Sequence, residues 1–519
     1  MEMKMQSIHM NRVKCRDALR LTVDDDVNVP DNKADVRAVI WKKGNVRLNE
    51  KKLSGGRLYL KGALLYQVLY LSEEEGKPVQ SIRGELPFDE AVELPEACGG
   101  ENITVRAEVE ELEVGLIHSR KLAVRALLGI LVQADELHDV RTAVALQDAG
   151  KVHTKSGIIP VTSMVADQKD IARLREEVFL PSGKDSIDEL LYWELELRNP
   201  EARAREERLE VQGELSLFAL WKGNREENAP ESYETSLPFK TEFEISGCRE
   251  GLIEDVSFRL MNENVSVKAD EDGEERLLEA EAVLEAEMKL YEESEMEILR
   301  DLFATDCELI PVKQTEEYEN LVLKNDSRMR MSERMTLSEG MPGILQICRG
   351  SVEMKPDVCV REEETLNMSG TLEVNLLYVS EDDERPLQSY RGELPFSHRI
   401  EVRGLTPDST YDVRCYVAES SFGTVRSGEI EMKAELVFSV LAMENRSEEM
   451  IVDTERKEFD ANRFEDLPSM VGYTVKAEEE LWDIAKRYYT APEDVIRVTE
   501  HNGDLREGDV LLIVKAAGE

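Results

Sequence analysis

Residues able to do chemistry are plentiful in this chain, but their spacing assembles none of the common reaction centres. The six histidines, at 9, 118, 138, 153, 398 and 501, form no spaced pair with cysteine or aspartate of the kind that holds zinc. Asp24-Asp25-Asp26 has the charge for a cation. It lacks the glycine and carbonyl spacing of a calcium loop, so it reads as a solvated acidic turn. There is no glycine-rich phosphate loop and no Gly-x-Ser-x-Gly. Because the chain holds 109 Asp and Glu, carboxylate pairs occur everywhere and none is singled out as a general acid. The seven cysteines, at 15, 98, 248, 307, 348, 359 and 415, are scattered without a Cys-x-x-Cys, and read as reduced, mostly buried thiols. The expectation is a non-enzyme with no cofactor and no metal.

What remains is binding chemistry, and the last fifty or so residues concentrate it. Tyr473-Thr474-Val475-Lys476 alternates as a strand. After Glu478-Glu479-Glu480, Leu481, Ile484, Ala485 and Tyr488 fall on one helical face. Thr490-Ala491-Pro492-Glu493 reads as a capping box opening a second short helix that carries Val495, Ile496 and Val498. A turn through Asn502-Gly503-Asp504 leads to a closing strand, Val510–Val514. The expected order is strand, helix, helix, strand.

From 472 to 516 this text resembles the LysM domain, whose usual form runs Tyr-Thr-Val, Gly-Asp-Thr, Leu-Trp-x-Ile-Ala, then a basic and an aromatic residue. The resemblance implies a βααβ fold with a groove for N-acetylglucosamine glycans such as peptidoglycan or chitin. Here the Gly-Asp-Thr positions are Glu478, Glu479 and Glu480. Loss of the glycine makes a positive φ costly. Three carboxylates near a helix start suit its dipole. From 472 to 519 there are six Lys/Arg against eleven Asp/Glu. The sugar groove is expected to be altered and turned toward a protein.

Formal charge over all 519 residues is −44. Such a surface repels nucleic acid, anionic lipid and wall polyanions, and steers in a partner with a basic groove. No signal peptide and no membrane-spanning run is read, so a cytosolic protein is expected.

The body of the chain repeats itself. Gly62-Ala63-Leu64-Leu65-Tyr66-Gln67-Val68-Leu69-Tyr70 is followed by Arg83-Gly84-Glu85-Leu86-Pro87-Phe88, and Gly370 to Tyr378 by Arg391-Gly392-Glu393-Leu394-Pro395-Phe396. A weaker copy runs from Gly213 to Trp221, then Ser236-Leu237-Pro238-Phe239. The glycine-to-proline distance is 25 residues in each copy. Period-two runs follow: Leu122 to Val132, Leu278 to Leu290, and Ile430 to Val440. They suit long antiparallel strands with one wet face. The Leu-Pro-Phe corner is expected to end a hairpin and plug its phenylalanine into the core. The fold class read is mainly β: three tandem antiparallel domains at 1–138, 172–296 and 334–445, a linker at 446–470, and a βααβ module at 471–516. Further linkers are expected near 138–175 and 296–333.

Three such repeats before a LysM-like tail resemble the SipL type of spore coat assembly protein. The resemblance implies a non-enzymatic scaffold in the mother cell, at the forespore surface. Its tail would dock on the coat morphogenetic ATPase, among other coat proteins. Peptidoglycan is the alternative ligand. The positions implied for contact are Lys476, Glu479 and Glu480, then Trp482, Ile484, Lys486 and Tyr488, then His501, Asn502, Asp504 and Leu505.

Overall fold

Alternating apolar residues over long stretches produce strands, and here six strands recur three times. The structure is a computed structural model that describes residues 2–74, 78–94, 103–147, 151–224, 230–382, 384–426, 428–458, 468–499 and 505–514. The first unit holds β1 (Glu2–Asn28), β2 (Val36–Ser54), β3 (Arg57–Ser72), β4 (Val79–Glu93), β5 (Ile103–His118) and β6 (Lys121–Gln147). The second holds β7 (Val152–Phe179), β8 (Ile187–Arg205), β9 (Arg208–Gly223), β10 (Glu231–Glu244), β11 (Ile253–Ala269) and β12 (Glu275–Ala304). The third holds β13 (Glu308–Thr336), β14 (Ile344–Glu362), β15 (Thr365–Ser380), β16 (Leu387–Glu401), β17 (Ser409–Arg426) and β18 (Glu429–Lys457). In each unit two three-stranded antiparallel sheets face each other, ordered β1-β6-β5 and β2-β3-β4 in the first. The inward residues of the period-two runs fill the space between them. Leu122, Val124, Ala126, Leu128, Ile130 and Val132 all join the core of the first unit. The equivalent residues of β12 and β18 do the same, so the Glu- and Ala-rich stretch of β12 is strand.

The constant glycine-to-proline spacing has a packing cause. Gly62, Gly213 and Gly370 lie on the central strands directly across from Phe88, Phe239 and Phe396. Each ring lies over its glycine: an added Cβ would stand 2.6, 3.0 and 2.9 Å from the ring carbons. The glycine frees the space and the ring covers it, a known device for fixing strand register. The three phenylalanines are buried as expected. The Leu-Pro-Phe segment does not end a hairpin, however. It lies within β4, β10 and β16, which are edge strands and can hold a proline on their open side.

Of the stretches expected as linkers, 138–147, 152–175, 296–304 and 308–333 are strand, as is the start of 446–470. The ends of β6, β7, β12, β13 and β18 run beyond their own unit's sandwich, and their apolar residues are pooled between units. Ile8 and Val140 meet Ile159, Val161, Met296 and Ile298 and then Tyr318 and Met450 in one cluster, and Ala143, Leu299 and Ile451 meet in another. A third shared cluster brings Trp41 and Leu69 against Tyr192 and Phe218 and against Leu377 and Leu387. Beside it Arg349 of β14, 2 % exposed, reaches Glu196 and Glu234 of the second unit at 2.6 Å each, and Glu194 at 3.3 Å. Lys43 of the first unit also meets Glu194. Burial works to raise the Glu196 carboxyl, but Arg349 and Lys43 outweigh it and hold it well below the usual carboxylate range. Cys15 is disulfide-bonded, which corrects the reading of seven reduced thiols; nothing in the cysteine spacing signals it. Cys248, Cys307, Cys348, Cys359 and Cys415 are free.

The tail is a separate small unit. Its strands β19 (Met470–Thr474), β20 (Ile496–Arg497) and β21 (Val510–Val514) form a sheet ordered β19-β21-β20. One helix, α1 (Leu481–Arg487), packs Ile484 onto Val475, Leu511 and Ile513. The second helix expected from 490 is absent. Pro492–Asp494 is a single 3-10 turn, and Ile496 and Arg497 pair with Leu512 and Leu511. The β-branched run Val495, Ile496, Val498 favours extension over helix. Thr490, expected to cap, instead donates its hydroxyl to the Val514 carbonyl. Glu478, at the position of the expected glycine, holds φ at 63°. The left-handed turn is therefore kept although the glycine is gone.

Two outcomes follow from these geometries. Arg349→Met removes the buried cation shared by three carboxylates, leaving Glu194 to Lys43 and Glu196 and Glu234 to Arg198, and should cost about 3 kcal/mol in urea unfolding; a loss under about 1 kcal/mol would mean the network is solvated. Glu478→Gly relieves the left-handed turn and should stabilise the tail by about 1 kcal/mol, seen as slower amide exchange in 470–475 and 481–488.

Candidate functional site

The residues singled out in the tail divide between its own fold and a seat on the body. Ile484 is fully buried in the tail core, which removes it as a contact. Tyr488 and Leu505 are half-buried against the same core, Tyr488 with its ring edge toward Tyr473 at 5.9 Å. Glu479 takes the Tyr473 hydroxyl at 2.8 Å, the Arg487 guanidinium at 3.0 Å and the Lys476 backbone N–H at 3.1 Å. Those hydrogen bonds hold its carboxyl below the ordinary glutamate value, the Tyr473 hydroxyl contributing most. The first loop is thus closed by its own carboxylate, with the Lys476 side chain exposed. His501, Asn502 and Asp504 lie outside the described residues.

Glu480, Trp482 and Lys486 point to the body. The Trp482 indole N–H donates to Asp301 Oδ2 at 2.7 Å. Lys486 Nζ donates to both oxygens of the same carboxylate, at 2.6 and 2.7 Å. The Trp482 ring meets Phe303 edge-on, 5.0 Å between centroids, and the His153 ring lies 5.3 Å from Phe303. Glu480 pairs with Lys155. Burial works to raise the Asp301 carboxyl, but Lys486 and Trp482 overcome it and leave it below the usual range. An open cleft beside these contacts is lined by Lys155, Arg300 and Lys313 of the body and Asp483 and Lys486 of the tail.

Asp301 and Phe303 were not found by sequence reasoning. They sit at the end of β12, in a stretch read as linker. The β12–β7 register slips between Leu299 and Asp301, a bulge of the kind that re-aims a side chain. Period-two reading has no means of showing where such a slip falls. Among the described residues no group of three or more His, Cys, Asp or Glu is placed to hold a metal, and no helix is long and apolar enough to cross a membrane.

Comparison with known families matches the SipL, SPOCS domain three times, at residues 35–117, 186–269 and 344–425. No curated protein and no solved structure matches the chain. Each match covers the four shorter strands of one unit, β2–β5, β8–β11 or β14–β17. Each stops short of the long strand at the centre of its second sheet. Three matches in register with three structural units give the conclusion that the chain carries three SPOCS repeats of the SipL type, a sporulation-associated domain.

Proposed function

We propose that this chain is a non-enzymatic adaptor in spore coat assembly, acting in the mother cell at the forespore surface. Its three repeats form one broad acidic body. Its LysM-like tail docks on the coat morphogenetic ATPase, and the body carries other coat proteins. The observation that carries this reading is the closed first loop. Where a sugar-binding module of this kind offers a glycine and small side chains, this tail has Glu479 tied to Tyr473, Arg487 and Lys476. A loop tied by its own carboxylate suits a protein surface better than a neutral sugar. Several weak modules on one chain also raise effective concentration at an assembling coat.

The retained left-handed turn at Glu478 favours a second reading, residual affinity for peptidoglycan. One experiment separates the two. The full chain and a variant lacking 472–519 are incubated with purified coat morphogenetic ATPase and, separately, with purified peptidoglycan. ATPase binding should be lost with the tail while the body keeps its unfolding midpoint. ATPase binding that survives the deletion would reject the docking role. Tight, salt-resistant capture on peptidoglycan without ATPase binding would establish the second reading instead.

A further inference from the structure

The face of α1 that carries Trp482 and Lys486 is occupied in this structure by the chain itself. We propose that the tail is latched: Asp301, Phe303 and Lys155 of the body form an internal seat that covers this face, and an external partner gains it only by displacing the seat. The proposal rests on the reading above for the identity of that partner and on nothing else in it.

Three observations carry it. First, the contacts are concentrated and complementary. One carboxylate, 19 % exposed, serves both the indole N–H and the ammonium, while Phe303, 2 % exposed, abuts the indole ring and Lys155 answers Glu480. Second, the seat is separate from what holds the tail together. The tail core of Val475, Ile484, Leu511 and Ile513 shares no residue with the neighbouring body cluster of Leu299, Leu302 and Ala304. The tail can therefore leave without unfolding. Third, two of the contacts are ion pairs at partly exposed positions, which salt screens.

A latch reduces apparent affinity by the fraction of molecules that are open. Asp301→Ala in the full chain removes the shared acceptor. Amide exchange at 481–488 should then rise severalfold while exchange in β19 and β21 stays unchanged. Apparent affinity for the purified coat morphogenetic ATPase should rise about tenfold, as for a seat closed in roughly nine molecules of ten. Lys155→Glu, which sets Glu480 against a like charge, should act in the same direction with smaller amplitude. Unchanged exchange at 481–488 in both variants overturns the latch. Raised exchange with unchanged affinity overturns its competition with the partner. If neither wild type nor variant binds the ATPase, the docking reading falls, and raised exchange still establishes the seat.

Discussion

The structure depends on the pooling of apolar side chains from three copies into shared cores. Each six-stranded unit fills its own sandwich, but the far ends of its two longest strands extend past it. They become stable strands because Ile8, Ile159 and Tyr318, or Ala143, Leu299 and Ile451, meet from three directions. Apolar side chains on a strand end that extends past its own sandwich are taken out of water only by neighbouring units. Arg349 adds direction. A guanidinium shared by Glu194, Glu196 and Glu234 fixes how the third unit sits on the second, with Lys43 bringing in the first. Removing apolar contacts would loosen the assembly, whereas stranding these carboxylates would penalise it directly.

What was legible in the sequence was whatever a single strand or hairpin decides for itself. The alternation at Leu122–Val132 and Ile430–Val440 marks inward faces because each run is buried by its own sandwich. The spacing of Gly62 and Pro87 survives in all copies because glycine and the following phenylalanine are cross-strand neighbours. What was illegible depends on other copies or on irregularity. The stretches at 138–175 and 296–333 read as tether because their burial comes from two other units. The second tail helix did not form because a local capping pattern at Thr490 lost to pairing with β21, a contact between Ile496 and Leu512 sixteen residues apart in sequence.

The site was half legible for the same reason. Trp482 and Lys486 stand out as a large aromatic and a cation four residues apart, hence on one side of a helix. Their counterpart does not stand out. Asp301 is one acid among 109, and only the bulge at the end of β12 brings it to them. Ile484 shows the converse error: lying two residues from each, on the opposite side of the same helix, it belongs to the core and is fully buried.

Charge then constrains what can replace the seat. A chain at −44 draws a basic surface from a distance. Close to α1 the demand is opposite, since Lys486 and the Trp482 indole are both donors and both are satisfied by one carboxylate. A partner that displaced Asp301 without supplying an acceptor would strand an ammonium and an indole N–H at a partly dry contact, at a cost of about 1–3 kcal/mol for each unsatisfied group. A surface that is basic overall, with an acidic or carbonyl acceptor set at its contact point beside an aromatic or apolar edge, meets both demands. A uniformly basic surface meets only the first, and would be attracted to the body while leaving the helix in its seat.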